Sequence, residues 1–190
     1  MITVDVPPHG IVALEEDDER LRYDVVDRLS TSRPAGGQGP QGQRVRALVE
    51  VQRRFGGMAP RAVVGGEFVV GDGTETVFEV LVGADYDALV AEGREAGSGV
   101  TLPGRIHSTW PLIAGLPAEF AESTLRGLVD NLCAGRLPAG VLRLDRAAFD
   151  EVESANPVFA QAGAALCCAL AAKLQGADPA DELRALIETW

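Results

Sequence analysis

Residues 156–175 read Asn-Pro-Val-Phe-Ala-Gln-Ala-Gly-Ala-Ala-Leu-Cys-Cys-Ala-Leu-Ala-Ala-Lys-Leu-Gln, an apolar stretch that contains a single charged residue. Asn156 is typical of a helix N-cap, and Pro157 is typical of the first position inside a helix. The pattern predicts a helix from 157 to about 175 that is apolar over most of its girth. Such a helix must be covered, so we expect a sheet on one side of it and a partner on the other.

The segments around this helix also carry clear signals. Pro117 is placed to start a helix and Gly135 to stop it. Residues 141–144 predict the start of a strand, and Asp178-Pro179 predicts a last short helix ending at Trp190. The apolar stripe of the helix between 117 and 135 is formed by Ala121, Leu125, Leu128, Val129, Leu132 and Cys133.

The N-terminal half is typical of β-structure. Residues 45–51 alternate apolar and polar side chains, which predicts a half-buried strand. The turn-forming residues 30–43 predict a loop before it. Two β-rich segments, 67–70 and 75–82, flank Gly71-Asp72-Gly73-Thr74, and this arrangement predicts a hairpin. Weaker patterns predict strands at 2–6 and 21–29 and a short helix at 85–95, with Leu89 and Val90 on its apolar side.

The composition predicts one globular domain. The chain has 190 residues, of which 46% are hydrophobic, and it contains three cysteines. An odd and small number of cysteines argues against a secreted disulfide framework, and we find no signal peptide and no membrane-spanning run. We therefore expect a cytoplasmic protein without a membrane partner.

The charge is unevenly distributed. The net charge is −11, and residues 15–19 form an acidic run. Residues 31–66 contain six arginines and a single acid, Glu50. An acidic protein repels phosphate backbones, so general nucleic-acid binding is disfavoured. A local basic patch at Arg44, Arg46, Arg53, Arg54 and Arg61 is one interpretation of these arginines; a solvated strand face is the other.

No catalytic motif is present. The loop Gly36-Gly37-Gln38-Gly39-Pro40-Gln41-Gly42 is followed by a strand, whereas a nucleotide loop leads into a helix, so we interpret it as a flexible loop. The histidines, His9 and His107, could join Ser108 or Ser123 in a triad, but no Gly-x-Ser-x-Gly elbow supports one. We expect no enzyme, no cofactor and no metal. We interpret the cysteines as buried apolar residues rather than as a metal site: Cys133, Cys167 and Cys168. We interpret the four acids near residue 150 as a solvated run rather than as an acid–base or metal site: Asp145, Asp150, Glu151 and Glu153.

Several segments, taken in order, resemble domain IV of translation elongation factor G. They are the loop Gly36-Gly37-x-Gly39-x-x-Gly42 with the strand that follows it, Gly115–Phe120, the turn 134–140, Val152-Glu153-Ser154 and residues 158–162. The resemblance covers about residues 36–52 and 115–172. It implies a ribosomal-protein-S5-domain-2-like fold and a ribosomal partner. The family's GTPase domain is absent, and Ala147-Ala148-Phe149-Asp150 stands where the family has Gly-Ser-Tyr-His.

We therefore expect an α+β protein with two layers: a mostly antiparallel sheet with helices packed on one face. Residues 1–176 would form a single domain, with 53–110 as an elaboration and 177–190 as a helical tail. The expected function is non-enzymatic binding of a ribosomal or protein partner; a small-molecule-binding protein or enzyme on the same fold is the alternative. A homodimer through the helix 157–175 or the edge of the 67–82 hairpin is a third hypothesis. The candidate partner-binding residues are Gly36, Gly37, Gly39, Gly42, Arg44, Arg46, Arg53 and Arg54.

Overall fold

The computed structural model describes residues 1–54, 57–95, 101, 102, 104–106 and 111–190. Nine strands and four α-helices lie in these ranges, together with 3-10 turns at Glu19–Leu21 and Leu132–Arg136. The strands are β1 Ile2–Val6, β2 Gly10–Glu15, β3 Asp27–Pro34, β4 Arg44–Arg53, β5 Arg61–Val70, β6 Glu75–Val82, β7 Thr101–Leu102, β8 Leu112–Ala114 and β9 Gly140–Phe149. The helices are α1 Tyr86–Glu95, α2 Ala118–Val129, α3 Asn156–Gln175 and α4 Pro179–Ile187.

All nine strands belong to one mixed sheet. Its main path runs β1-β2-β4-β5-β9-β6-β3, and every pair on this path is antiparallel except β6 with β9. β6 pairs with the first half of β9, and β8 pairs with Ala148 and Phe149 at its end. The parallel pair requires a crossover connection, which α1, β8 and α2 supply. The expected α+β class with a mostly antiparallel sheet is confirmed.

The predicted hairpin at 67–82 is wrong in its pairing. Both strands exist, but β9 lies between β5 and β6, so the two do not pair with each other. Phe68 of β5 and Phe78 of β6 both face Leu142 of β9 in register. The connection at 71–74 crosses the end of β9, where Gly71 donates its N–H to Ala139 O. A short turn between two β-rich segments therefore spans two strand spacings here, about 10 Å.

The helices cover one face of the sheet. α3 packs on β4 and β5, α2 packs on β6 and on α3, and α4 packs on α3 and β1. The α2–α3 crossing is close, because a Cβ on Gly127 would lie 1.9 Å from Ala160 O, and one on Gly163 would lie 2.5 Å from Thr124 O. α3 is thus covered by the sheet, α2 and α4, all within one chain, although an external partner was expected on its second side.

α3 is also long and apolar enough to pass a membrane-span test by length and composition. However, 67% of its most apolar window is buried inside the protein, as in the core helix of a folded domain. The helix α4 also packs into the protein core, because Leu183 and Ile187 are fully buried.

The opposite face of the sheet carries a second, small core and a set of charged side chains. Leu21 of the first 3-10 turn caps this core, in which Leu48, Val63, Leu112 and Ala148 are buried. Buried charged residues on the same face are Glu50, Arg61, Arg146 and Asp150.

The boundaries predicted for one loop and one helix are wrong. The loop predicted from residue 30 begins only after Pro34, because residues 27–34 pair with β6 as β3. The helix predicted to run to Gly135 ends at Val129, and Asn131 then caps a separate 3-10 turn by accepting the N–H of Ala134. Leu132, assigned to the apolar stripe, is exposed as a result.

All three cysteines are buried, as expected, but two of them are bonded to each other. Cys133 and Cys168 form a disulfide that joins the second 3-10 turn to α3. Cys167 is a free, buried thiol, and burial raises its pKa to about 12. A disulfide is typical of oxidising compartments; the cytoplasmic location stays a prediction.

Candidate functional site

The four candidate arginines lie at opposite ends of β4. Arg44 and Arg53 are the first and last residues of this strand, which separates them by about 30 Å at the usual rise per residue. The four side chains therefore do not form one basic patch.

The arginines at the start of β4 are neutralised by carboxylates. Arg46 donates to Asp17 at 2.6 Å and to Glu67 at 3.3 Å. Arg44, an exposed residue, lies 3.9 Å from Glu67. Asp17 belongs to the acidic run at 15–19. This run and the arginines at the start of β4 are distant in sequence, and their charges neutralise each other across the sheet.

The same acidic run holds two more arginines. Arg146 donates to Glu19 at 2.7 Å, and Arg105 donates to Asp18 at 2.6 Å. Hydrogen bonds from Arg20, with those from Arg105, lower the pKa of Asp18 to about 2. The run is therefore a structural counter-ion for the open face of the sheet.

Deeper on this face lies a fully buried ion cluster. Arg61 Nε donates to Asp150 Oδ2 at 3.0 Å, and Arg61 Nη1 lies 3.5 Å from Glu50 Oε1. Asp150 also accepts the backbone N–H groups of Val152 and Glu153, at 2.9 and 3.1 Å. Burial raises the pKa of Glu50, while the N–H of Arg105 and the charge of Arg61 oppose that shift. The interpretation of Asp150 as part of a solvated run is wrong, because it is fully buried in this cluster.

The glycine loop packs against the turn at 134–140. Gly36 donates its N–H to Leu137 O at 2.8 Å, and Gly37 O accepts from Ala139 at 3.2 Å. A Cβ on Gly36 would lie 2.2 Å from Gly135 O, so this position requires glycine for close approach. Gly39 similarly abuts the Pro138 side chain, and Gly42 has a positive φ of 79°. These contacts give the glycines a structural role at this end of the sheet.

Of the remaining catalytic candidates, the structure describes His9 and Ser123. His9 Nδ1 lies 2.8 Å from the backbone oxygen of Trp190. Ser123 is buried in α2, and His107 and Ser108 lie outside the described residues. Within the described ranges, no group of three or more His, Cys, Asp or Glu side chains is placed to hold a metal ion.

A concave site with mostly apolar walls lies at the other end of β4, beside the start of α3. It is a pocket of about 540 Å³, within the range of small-ligand sites. Its rim includes two of the exposed large apolar side chains, Met58 and Val152, which are 64% and 61% exposed. Its other apolar walls are Pro60, Ala155, Pro157 and Val158, and its polar lining residues are Arg53, Glu153, Ser154 and Gln161. We call this site the Arg53 pocket.

Two polar atoms of residues that line the Arg53 pocket are buried and have no hydrogen-bond partner among the described residues: Arg53 Nε, a donor, and Gln161 Oε1, an acceptor. Ser154, in contrast, donates to Arg61 O and accepts the N–H of Asp150. Buried polar groups in folded proteins are normally paired, and an unpaired one costs about 1–3 kcal/mol. Arg53 and Gln161 thus bring one unpaired donor and one unpaired acceptor to the lining of the same pocket, with both atoms just below its accessible surface.

The sequence singled out Arg53 but missed the pocket. Met58, Pro60, Val152 and Gln161 come from three separate segments, and no pattern in the chain links them. Arg53 differs from Arg46 and Arg54 in having no carboxylate partner among the described ion pairs; Arg54 forms a two-bond pair with Asp5 at 2.8 and 3.1 Å. Comparisons with protein-family models, with curated proteins and with solved structures find no match for this chain.

Proposed function

We propose that the chain is a non-enzymatic binding protein and that the Arg53 pocket is its binding site. The observation that carries the proposal is a pocket with apolar walls whose polar lining includes Arg53 and Gln161, each with a buried polar atom that has no partner among the described residues. Among the residues that line this pocket, Glu153 and Ser154 are the candidates for an acid, a base or a nucleophile. Ser154 is already fully engaged in hydrogen bonds to the backbone.

The chemistry of the lining fits the C-terminal residue of a protein partner. A terminal carboxylate matches the guanidinium of Arg53, and the N–H of the same residue matches Gln161 Oε1. An apolar terminal side chain would rest on Val158 and Pro157, between the exposed Met58 and Val152 at the rim. One residue thus supplies all three complementary groups.

The test uses the purified protein and two acetylated tetrapeptide pools that end in Leu, Val or Phe. One pool has a free terminal carboxylate, and the other is amidated. Isothermal titration should give saturable binding of the free acids and binding weaker by roughly tenfold for the amides, because a charge-assisted bond is lost. Arg53→Gln should erase this difference.

Arg54→Gln is the matched control, since it removes the same charge from the neighbouring residue outside the pocket. It should leave the affinity unchanged. Glu153→Gln should strengthen binding of the free acids by removing a like charge. Failure of both pools to bind would refute the proposal, and equal binding of acid and amide would refute the role of Arg53.

Kinship with domain IV of elongation factor G, and with its ribosomal-protein-S5-domain-2-like fold, remains part of the proposal. In its favour, the glycine loop, the following strand, α2, the turn 134–140, β9 and α3 occur in the order of the family's segments. Against contact with ribosomal RNA, the arginines at the start of β4 already have carboxylate partners. Co-sedimentation with ribosomes at low and high salt separates these cases: salt-sensitive pelleting would favour RNA contact, which releases counter-ions.

A further inference from the structure

The strand β3 lies at one of the two ends of the sheet's main path, and one of its edges is free of any described strand. Among the described residues it pairs only with β6, from Asp27 opposite Val82 to Pro34 opposite Glu75. Six of its eight residues are exposed. The preceding Val25 and Val26 are among the exposed large apolar side chains of the protein. A free edge of this length is a template for pairing with another strand.

The hydrogen-bond pattern shows which backbone groups face that edge. Ala35, one position beyond the last β3 residue, donates its N–H to Thr74 O at 3.1 Å. In an antiparallel pair, residues alternate between those that bond the neighbouring strand and those whose N–H and C=O point away from it. Counting back from Ala35, the β3 residues that point to the free edge with both groups are Arg28, Ser30 and Ser32. Pro34 also faces the free edge in this alternation. The N–H that proline lacks would therefore not have bonded β6.

Two charged side chains of β3 have no oppositely charged partner among the described ion pairs. Asp27 accepts only the backbone N–H of Arg28, at 2.7 Å, among the described contacts. Arg33 donates to a backbone oxygen, Val129 O, at 2.9 Å, and forms no described ion pair. Both have odd numbers in the strand, so their side chains lie on the same face of the sheet.

We propose that two copies of this chain pair antiparallel through β3 around a two-fold axis at Ser30. In this register the outward groups of Ser30 meet those of Ser30 in the second copy, and Arg28 meets Ser32. Asp27 of each copy then lies directly opposite Arg33 of the other, at cross-strand distance. The surface is self-complementary, as a two-fold interface requires.

Neighbouring registers lose this match. Moving the second copy by two residues keeps the outward backbone groups aligned but places Asp27 opposite Thr31 or Ala35, which leaves both charges unpaired. Moving it by one residue aligns outward groups with inward ones and breaks the ladder. The match covers residues 27–33 only, because the N–H of Val26 bonds Val82 O of β6 and does not point to the free edge.

The test is sedimentation velocity from about 1 μM to about 1 mM protein. The wild-type chain should show a monomer–dimer equilibrium. Asp27→Arg should raise the dimer dissociation constant about tenfold or more, because two cross-strand attractions become repulsions. Arg33→Asp should act likewise, and the double variant, which swaps the charges, should return the constant to within about threefold of wild type.

Asp24→Arg is the control, because it makes the same charge change at an exposed residue outside β3. It should leave dimerisation unchanged. A wild-type protein that is monomeric throughout this range would overturn the proposal. So would an effect of Asp27→Arg no larger than that of Asp24→Arg, or a double variant that does not recover.

Discussion

Replacing Arg61 by methionine should strongly destabilise the protein. Arg61 is fully buried between Asp150, at 3.0 Å, and Glu50, at 3.5 Å. Methionine fills a similar volume but removes the positive charge. Two carboxylates that are themselves fully buried would then lose the cation that lies between them.

The expected cost follows from this geometry. Removing one partner of a buried ion pair costs about 3–5 kcal/mol, because the charge left behind is not solvated. In a chain of this length each kcal/mol lowers the melting temperature by about 2–4 °C. We therefore expect a fall of roughly 6–20 °C, measured at pH 7.

The pH dependence identifies the mechanism. Without Arg61 the pKa of Glu50, already raised by burial, should rise further. Its folded form then binds a proton at a pH where the unfolded chain does not, so the stability of the variant should increase as the pH falls through this raised pKa. Urea denaturation at several pH values between about 8 and 5 should show the gap from wild type narrowing toward acid.

Two variants complete the experiment. Arg44→Met, on an exposed arginine, should change the free energy of unfolding by less than about 0.5 kcal/mol. Arg61→Met combined with Glu50→Gln and Asp150→Asn should recover part of the loss, because no buried charge remains. A single Arg61→Met variant within about 1 kcal/mol of wild type, or a gap that does not depend on pH, would refute the reasoning.

Three further outcomes follow from other contacts. Gly127→Ala should destabilise by roughly 1–3 kcal/mol in urea denaturation despite alanine's higher helix propensity, because its Cβ would overlap Ala160 O across the α2–α3 crossing; Gly73→Ala, with no atom closer than 3.9 Å, should have little effect. Reducing the Cys133–Cys168 disulfide should lower the free energy of unfolding by about 3–4 kcal/mol, from the loop-closure entropy of its 35-residue separation, and an equal urea midpoint with and without reductant would contradict this. Because the pKa of Asp18 is lowered to about 2, its ionised form stabilises the fold above about pH 4, and this contribution should disappear as the pH falls through about 2; Asp18→Asn should flatten that acid limb of a stability–pH curve.

The elements themselves could be predicted where their period was regular. The alternation in 45–51 predicts the strand β4, and the prolines at 157 and 179 mark the starts of α3 and α4 to within a residue. The expected N-cap at Asn156 is wrong, because Ala155 occupies that position and makes no side-chain cap hydrogen bond. Residues 85–95 form α1 as expected, with Leu89 and Val90 in the core. Local pattern is sufficient to locate these elements. The expectation that 45–51 is half-buried is wrong, because residues 47–51 are buried on both faces of the sheet.

Pairing between distant strands was not predictable in this way. The turn at 71–74 has the residues of a hairpin, and nothing within it indicates that β9, about seventy residues later, separates β5 from β6. The disulfide was hidden for a similar reason, since Cys133 and Cys168 are 35 residues apart and their spacing carries no motif.

The candidate site was only partly predictable. Arg53 was among the chosen residues, but sequence alone could not distinguish it from Arg46, whose charge is cancelled by Asp17 and Glu67. That distinction depends on which carboxylates the fold brings within hydrogen-bond distance. Gln161 gave no signal at all, because its role depends on an atom that lacks a partner in three dimensions.

The position of β9 has a consequence for how the chain is made. Strands β1, β2, β4 and β5 can assemble early, and β6 can pair with β3, but these two groups are joined only when residues 140–149 are available. During synthesis from the N-terminus, the inner edges of β5 and β6 stay open while more than half of the later chain is added. Non-local strand pairing of this kind slows folding, and open edges invite pairing with the wrong strand. The ribosome or a chaperone would therefore have to protect these two edges until β9 inserts between them.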